Sequence, residues 1–102
     1  MAAPQLESVS FPRLHAGGNS DGTVTGTNIK EHDVVKIVSN SGKRWHGQVT
    51  TRASGNLWNA TVHRVGPVLG GVESNVSETV GVTVTNGDGD SNSTNTNSTN
   101  VP

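Results

Sequence analysis

The residues best suited to chemistry are four histidines (His15, His32, His46 and His63) and an alternating run of oxygen-bearing side chains, Asn86, Asp88, Asp90 and Asn92. Oxygen donors at every second position are what a calcium loop supplies. An EF-hand-like loop also needs a bidentate glutamate at its twelfth position, where this chain has Asn97. A solvated turn leading into a polar segment accounts for the same residues without a metal, and no metal is expected. His46 and His63 would stand directly opposite one another if 43–51 and 57–65 pair as a hairpin turning at Ser54-Gly55. Two imidazoles fall short of the three or four ligands of a zinc site, so exposed sheet histidines are the simpler account. The absence of cysteine excludes disulfides and thiolate metal sites.

Catalytic constellations fare no better. There is no Gly-x-Ser-x-Gly elbow, and the one place where carboxylates adjoin a histidine, Glu31-His32-Asp33, reads as a polar turn. Glu7, Glu31, Asp33, Glu73 and Glu78 fall in loop or edge contexts. The pairs Gly17-Gly18 and Gly70-Gly71 lack the lysine and following helix of a phosphate loop. Trp45 and Trp58 share a face with Val49, Ala60 and Val62, which favours core packing over a sugar-stacking shelf. Lys43, Arg44, Arg52 and Arg64 form a modest basic cluster that fits an acidic partner surface or an ordinary solvated edge. The sequons at Asn59, Asn75, Asn92 and Asn97 are expected by chance in a chain this rich in Asn, Ser and Thr. The expectation is a protein without enzymatic activity or cofactor.

The elements that carry these residues are strands. Val80, Val82 and Val84 alternate with Gly81, Thr83 and Thr85, the signature of a half-buried strand. Shorter alternating or apolar runs are expected at 5–11 (stopped by Pro12), 23–28, 33–39, 43–51 and 57–65, with 16–22, 40–42 and 53–56 as turns. No window repeats apolar residues at helical spacing, and valine and threonine disfavour helix interiors. About seven short strands at this spacing predict an all-β, immunoglobulin-like two-sheet sandwich. The segment from Asp88 to Pro102 is too polar to build a core, so a domain over 1–87 and an extended polar C-terminal arm over 88–102 are expected.

Composition sets further bounds. At 102 residues the chain has room for one domain, with 29% hydrophobic and 3% aromatic residues, so its core must be thin. A formal net charge of −1 provides no basic field for nucleic acid. The start has no secretory pattern and no run approaches the ~20 apolar residues of a membrane span. The chain is therefore expected to be soluble and to stay in the compartment where it is made.

Three stretches carry a family resemblance. Pro4 is followed by Glu7-Ser-Val-Ser-Phe-Pro12 and Gly17-Gly18; then comes Thr23-Val-Thr-Gly-Thr-Asn-Ile29; and Val82-Thr-Val-Thr-Asn-Gly-Asp-Gly89 closes with Ser91-Asn92. Over residues 4–92 the chain resembles the IPT/TIG immunoglobulin-like domains, departing from them in the tryptophan-bearing middle, 43–65. Such domains serve as spacers, dimerisation modules, companions of carbohydrate-active enzymes and virion components. One such domain alone, with a polar arm, implies a phage capsid decoration (cement) protein on the virion surface, made in the host cytoplasm. Its expected partners are a major capsid protein and neighbouring copies of itself, with a trimer as the guess. The alternative is a carbohydrate- or cell-surface-binding module. The expected contact residues are Gln5, Leu6, Asn19, Asp21, Arg44, Arg52, Gly70, Gly71, Asn92, Asn97 and Val101, in the terminal arms 1–6 and 88–102, the loops 17–21 and 70–75, and the basic cluster.

Overall fold

A computed structural model describes residues 2–66 and 76–102. Every regular element among them is a strand: β1 (Gln5–Ser10), β2 (Arg13–His15), β3 (Asn19–Thr27), β4 (Val34–Ser39), β5 (Arg44–Ser54), β6 (Leu57–Val65), β7 (Val76–Thr85) and β8 (Ser91–Val101). They form one curled sheet in the order β1-β3-β6-β5-β4-β7-β8-β2. Neighbours pair antiparallel except β2 with β8, which run parallel.

The two ends of that order are consecutive pieces of one segment. β1 lies against β3, the chain passes through Phe11-Pro12, and β2 lies against β8. Pro12 has no N–H for a ladder, which ends β1. Its carbonyl still accepts from the Thr99 N–H at 2.9 Å, and the Ala16 N–H donates to Val101 at 2.8 Å. Residues 5–16 thus draw the two edges of the sheet toward each other. Phe11 and Leu14, both fully buried, fill the space this creates.

The core follows the alternation. Val24, Val35, Ile37, Trp45, Val49, Ala60, Val62, Val80, Val82 and Val84 all face inward and are buried. Each contributes on the order of 1.5–3 kcal/mol if fully removed from water, alanine less. The Trp45 indole Nε1–H donates to the His15 carbonyl at 2.9 Å, so the largest core side chain leaves no unpaired donor. Trp58, expected to be buried beside it, is only half-buried. It lies at the end of β6 across from Arg52, after an irregularity in β5 between Val49 and Arg52.

The eighth strand is the main correction. The residues expected to form a disordered arm pair with β7 from Thr85–Ser91 to Val76–Asn100. Composition misleads here because β8 needs no core of its own: its ladder partner carries the valines, and threonine suits a pleated surface. The chain from 88 to 102 is therefore part of the sheet rather than an arm, and the division at 87/88 falls inside the β7–β8 hairpin. A second correction concerns the loop expected over 16–22, where β3 begins at Asn19, pairing Asn19 with His63 and Asp21 with Thr61. β2, only three residues long, lay within a stretch with no recognisable alternation. Residues Gly70 and Gly71, with the loop 70–75, and Met1 lie outside the described residues.

At three glycines, Gly22, Gly26 and Gly47, neighbouring strands approach too closely for a side chain. A methyl group on Gly22 would run into the Phe11 ring and the Ser10 carbonyl, and one on Gly47 into the Thr61 carbonyl and Val62 backbone. Gly17 has open space around it. Gly47→Ala is expected to cost about 1–3 kcal/mol of unfolding free energy in urea titrations, and Gly17→Ala less than about 0.5 kcal/mol. Truncation after Asp90 should abolish cooperative unfolding by circular dichroism, whereas a dispensable arm would leave the transition unchanged.

Candidate functional site

Successive side chains of a strand point to opposite faces, so β7 and β8 present two different surfaces. Outward, the directly opposed pairs are Ser77–Thr99, Thr79–Asn97, Gly81–Asn95, Thr83–Ser93 and Thr85–Ser91. Side-chain hydrogen bonds tie four of these rungs, at 3.0, 3.1, 2.7 and 2.8 Å. The result is a two-column polar ladder of short side chains, without a charged or long residue on it. Each cross-strand pair contributes roughly 0.2–1 kcal/mol, less than one of the inward valines. The ladder is thus a minor source of stability, though it fixes the orientation of its side chains.

The calcium-like alternation is put to other use. The Asn86 Oδ1 accepts from the backbone N–H groups of Asp88 and Asp90 at 2.9 and 3.0 Å, and its amide donates to the Ala2 carbonyl at 3.2 Å. The side chain of Asn86 thereby organises the hairpin turn, as Asx residues do. The Asn92 Oδ1 accepts from the Leu6 N–H at 2.8 Å, joining β8 to β1 across the seam of the sheet. Two of the four oxygen-bearing side chains are therefore engaged by backbone donors. No group of three or more potential metal ligands occurs among the described residues.

The other expected contact residues are scattered. Gln5 and Leu6 lie in β1 beside Asn92; Asn97 sits on the outer ladder; Val101 ends β8 against β2. Asn19 and Asp21 lie on β3, where the Thr61 hydroxyl donates to Asp21 at 2.8 Å. Arg44 and Arg52 lie toward opposite ends of β5, so the four basic residues do not form one cluster. The Arg52 guanidinium sits 4.8 Å from the Trp58 ring centroid, and that of Arg64 is 5.2 Å from Trp45. Trp45 is buried and Trp58 is capped by Arg52, so neither ring offers a bare stacking shelf. His46 and His63 stand opposite each other as the hairpin reading required, with ring centroids 6.3 Å apart.

A polar cluster that sequence reasoning missed lies at the other end of β7. Glu78 Oε1 accepts from the Ser41 N–H at 2.9 Å, and Oε2 accepts from the Ser41 hydroxyl at 3.0 Å and from the Asn100 amide. The Lys43 ammonium lies 3.6 Å away, and the Lys43 and Glu78 side chains are only 9% and 10% exposed. Burial by itself raises the Glu78 pKa. Hydrogen bonds from the Ser41 backbone, the Asn100 amide and the Ser41 hydroxyl, with the Lys43 charge, oppose it and leave the carboxyl below its ordinary range. A signal was present in the sequence, because extending the Val80–Val84 alternation backwards puts Glu78 on the inward face.

No family model, curated protein or solved structure matches the chain. Among the described residues no helix is long and apolar enough to cross a membrane.

A carboxylate whose folded pKa is lowered stabilises the fold above its unfolded pKa and loses that contribution as pH falls through the folded value. Glu78→Gln should therefore lower the melting temperature at neutral pH. The gap from the wild type should narrow as pH falls below the ordinary glutamate range, about 4.3. A gap that stays constant from pH 7 to pH 3 would show that the charge of Glu78 contributes nothing.

Proposed function

We propose that this chain is a non-catalytic, immunoglobulin-like module that works by docking on repeated copies of a larger protein, as a capsid decoration protein does on a phage shell. The strand order supports the fold part of this reading. β1, β3, β6 and β5 match the four-strand half of an immunoglobulin domain; β4, β7 and β8 match the other half, with β2 switching across to join it.

The observation that carries the functional part is the outer ladder of β7 and β8. Its hydroxyls and amides are already held by one another, so little side-chain freedom is lost when a partner covers them. Lysine or glutamate in those positions would lose more. The extended-arm version of the mechanism falls away, because the segment assigned to the arm is a paired strand. Binding would instead use a rigid face, weak at each copy and strengthened by repetition over a symmetric surface.

The test is co-sedimentation of the tagged chain with assembled particles from the same source. A fixed ratio to one larger shell protein is expected. Thr83→Arg, placed on the exposed ladder, should leave the melting temperature within a few degrees and reduce the bound fraction at least about tenfold. A chain that stays in the supernatant, with particles equally heat-resistant in its absence, would overturn the reading.

A further inference from the structure

The outward surface of the sheet continues from the ladder onto β4, β5 and β6, and there it gathers cations. Strand pairing sets Lys36, His46 and His63 in one row and Val38, Arg44 and Val65 in the next. All six are exposed. Val38 and Val65 are 49% and 39% accessible, and with Lys36, Arg44 and His46 they border a shallow depression of about 190 Å³. The imidazoles of His46 and His63 meet edge to face.

The surroundings of these groups are neutral or cationic. From β7, Thr83 stands beside Lys36 and Gly81 beside Val38; from β3, Asn19 stands beside His63. The following row is Val34, Gln48, Thr61 and Asp21. Among the described residues Asp21 is the sole carboxylate in these three rows, and it is held by the Thr61 hydroxyl. Of the other described carboxylates, Glu31 and Asp33 lie before β4, Asp88 and Asp90 in the β7–β8 turn and Glu7 on β1, and Glu78 is paired with Lys43. Among the described residues, two of the chain's seven lysines and arginines, Lys36 and Arg44, thus share one exposed patch with two histidines and two valines.

We propose that this face docks a carboxylate-rich surface of a partner protein, and that protonation of His46 and His63 tightens the grip as pH falls. Histidine is the side chain that changes charge between pH 5 and 8. Lys36 and Arg44 supply the two permanent charges, and the histidines add up to two more. An anionic partner favours their protonation, and by linkage their protonation favours the partner. The chemistry points to protein rather than nucleic acid. Two fixed cations are few for a phosphate backbone, and the flanking valines suit a partner patch that mixes apolar and acidic groups. A metal held by the two imidazoles has no third ligand among the described residues.

This patch borders the outer ladder at Thr83 but is built from residues of other strands, and its test stands whether or not the chain decorates a shell. A rhodamine-labelled deca-aspartate peptide, ionised throughout the range, would be titrated at low salt by fluorescence polarisation. The expected result is binding at least about fivefold tighter at pH 5.5 than at pH 7.5. The double variant His46→Gln/His63→Gln should bring that ratio close to one. Lys36→Gln should weaken binding at both pH values and keep the ratio, and Arg13→Gln, on β2, should change neither. All four substitutions are at exposed positions, and melting curves check that each variant folds. Equal affinity at the two pH values, an undiminished ratio in the double histidine variant, or tighter binding of a ten-nucleotide oligothymidylate than of the peptide would each overturn the proposal.

Discussion

The fold depends on what the chain does at Phe11-Pro12. A single segment serves one edge of the sheet before this point and the other edge after it. Proline breaks the first ladder, and the buried Phe11 ring occupies the gap between the two. Gly22 makes room for that ring by having no side chain of its own. Without the crossing, β1 would extend β3 into a simple open edge and the interior beneath Leu14 would be wet. With it, Phe11 and Leu14 join a core made mostly of valine, with Trp45 as its largest side chain, on the inner side of the curled sheet.

That arrangement explains how so polar a strand as β8 keeps its place. Its inward residues are Asn92, Thr94, Thr96, Ser98 and Asn100, and none of them is a core former. β7 supplies the apolar face, β2 pairs with the far end of β8, and Asn92 and Asn100 bond to groups on β1 and β7. The charged acceptor of its amide offsets part of the cost of burying Asn100 beside Glu78, while Asn100 Oδ1 and the Ser98 hydroxyl are buried without a hydrogen-bond partner. The same logic turned inside out gives the outer ladder, where hydroxyl groups pair with one another at the surface.

Much of this was legible in the sequence. The alternation through Val80–Val84 gave a buried strand face; the hairpin bearing His46 and His63 in opposition followed from turn chemistry at Gly55 and two alternating runs. The tail was not legible, since strand formation there is decided by a neighbour rather than by local composition. Asn19 and Asp21 read as loop because glycine and asparagine signal turns, yet tertiary pairing with β6 overrode the signal. Of the interaction surfaces, residue types were visible and their grouping was not. Arg44 and Arg52 look adjacent in a list of basic residues, whereas the length of β5 separates them and strand register brings Lys36 to the histidines instead.

The order in which the strands appear along the chain has a kinetic side. β2 hydrogen-bonds with β8, its residues pairing with Thr99, Asn100 and Val101, so an early strand of the sheet waits for one made much later. Until then Phe11 and Leu14 have an incomplete shelter, and a nascent chain would carry two greasy side chains beside an unzipped edge. Assembly dominated by such distant pairings is slow for a domain of this size. The polar make-up of β8 then acquires a second merit: the strand that completes the sheet brings little apolar surface that could stick to anything else before it docks.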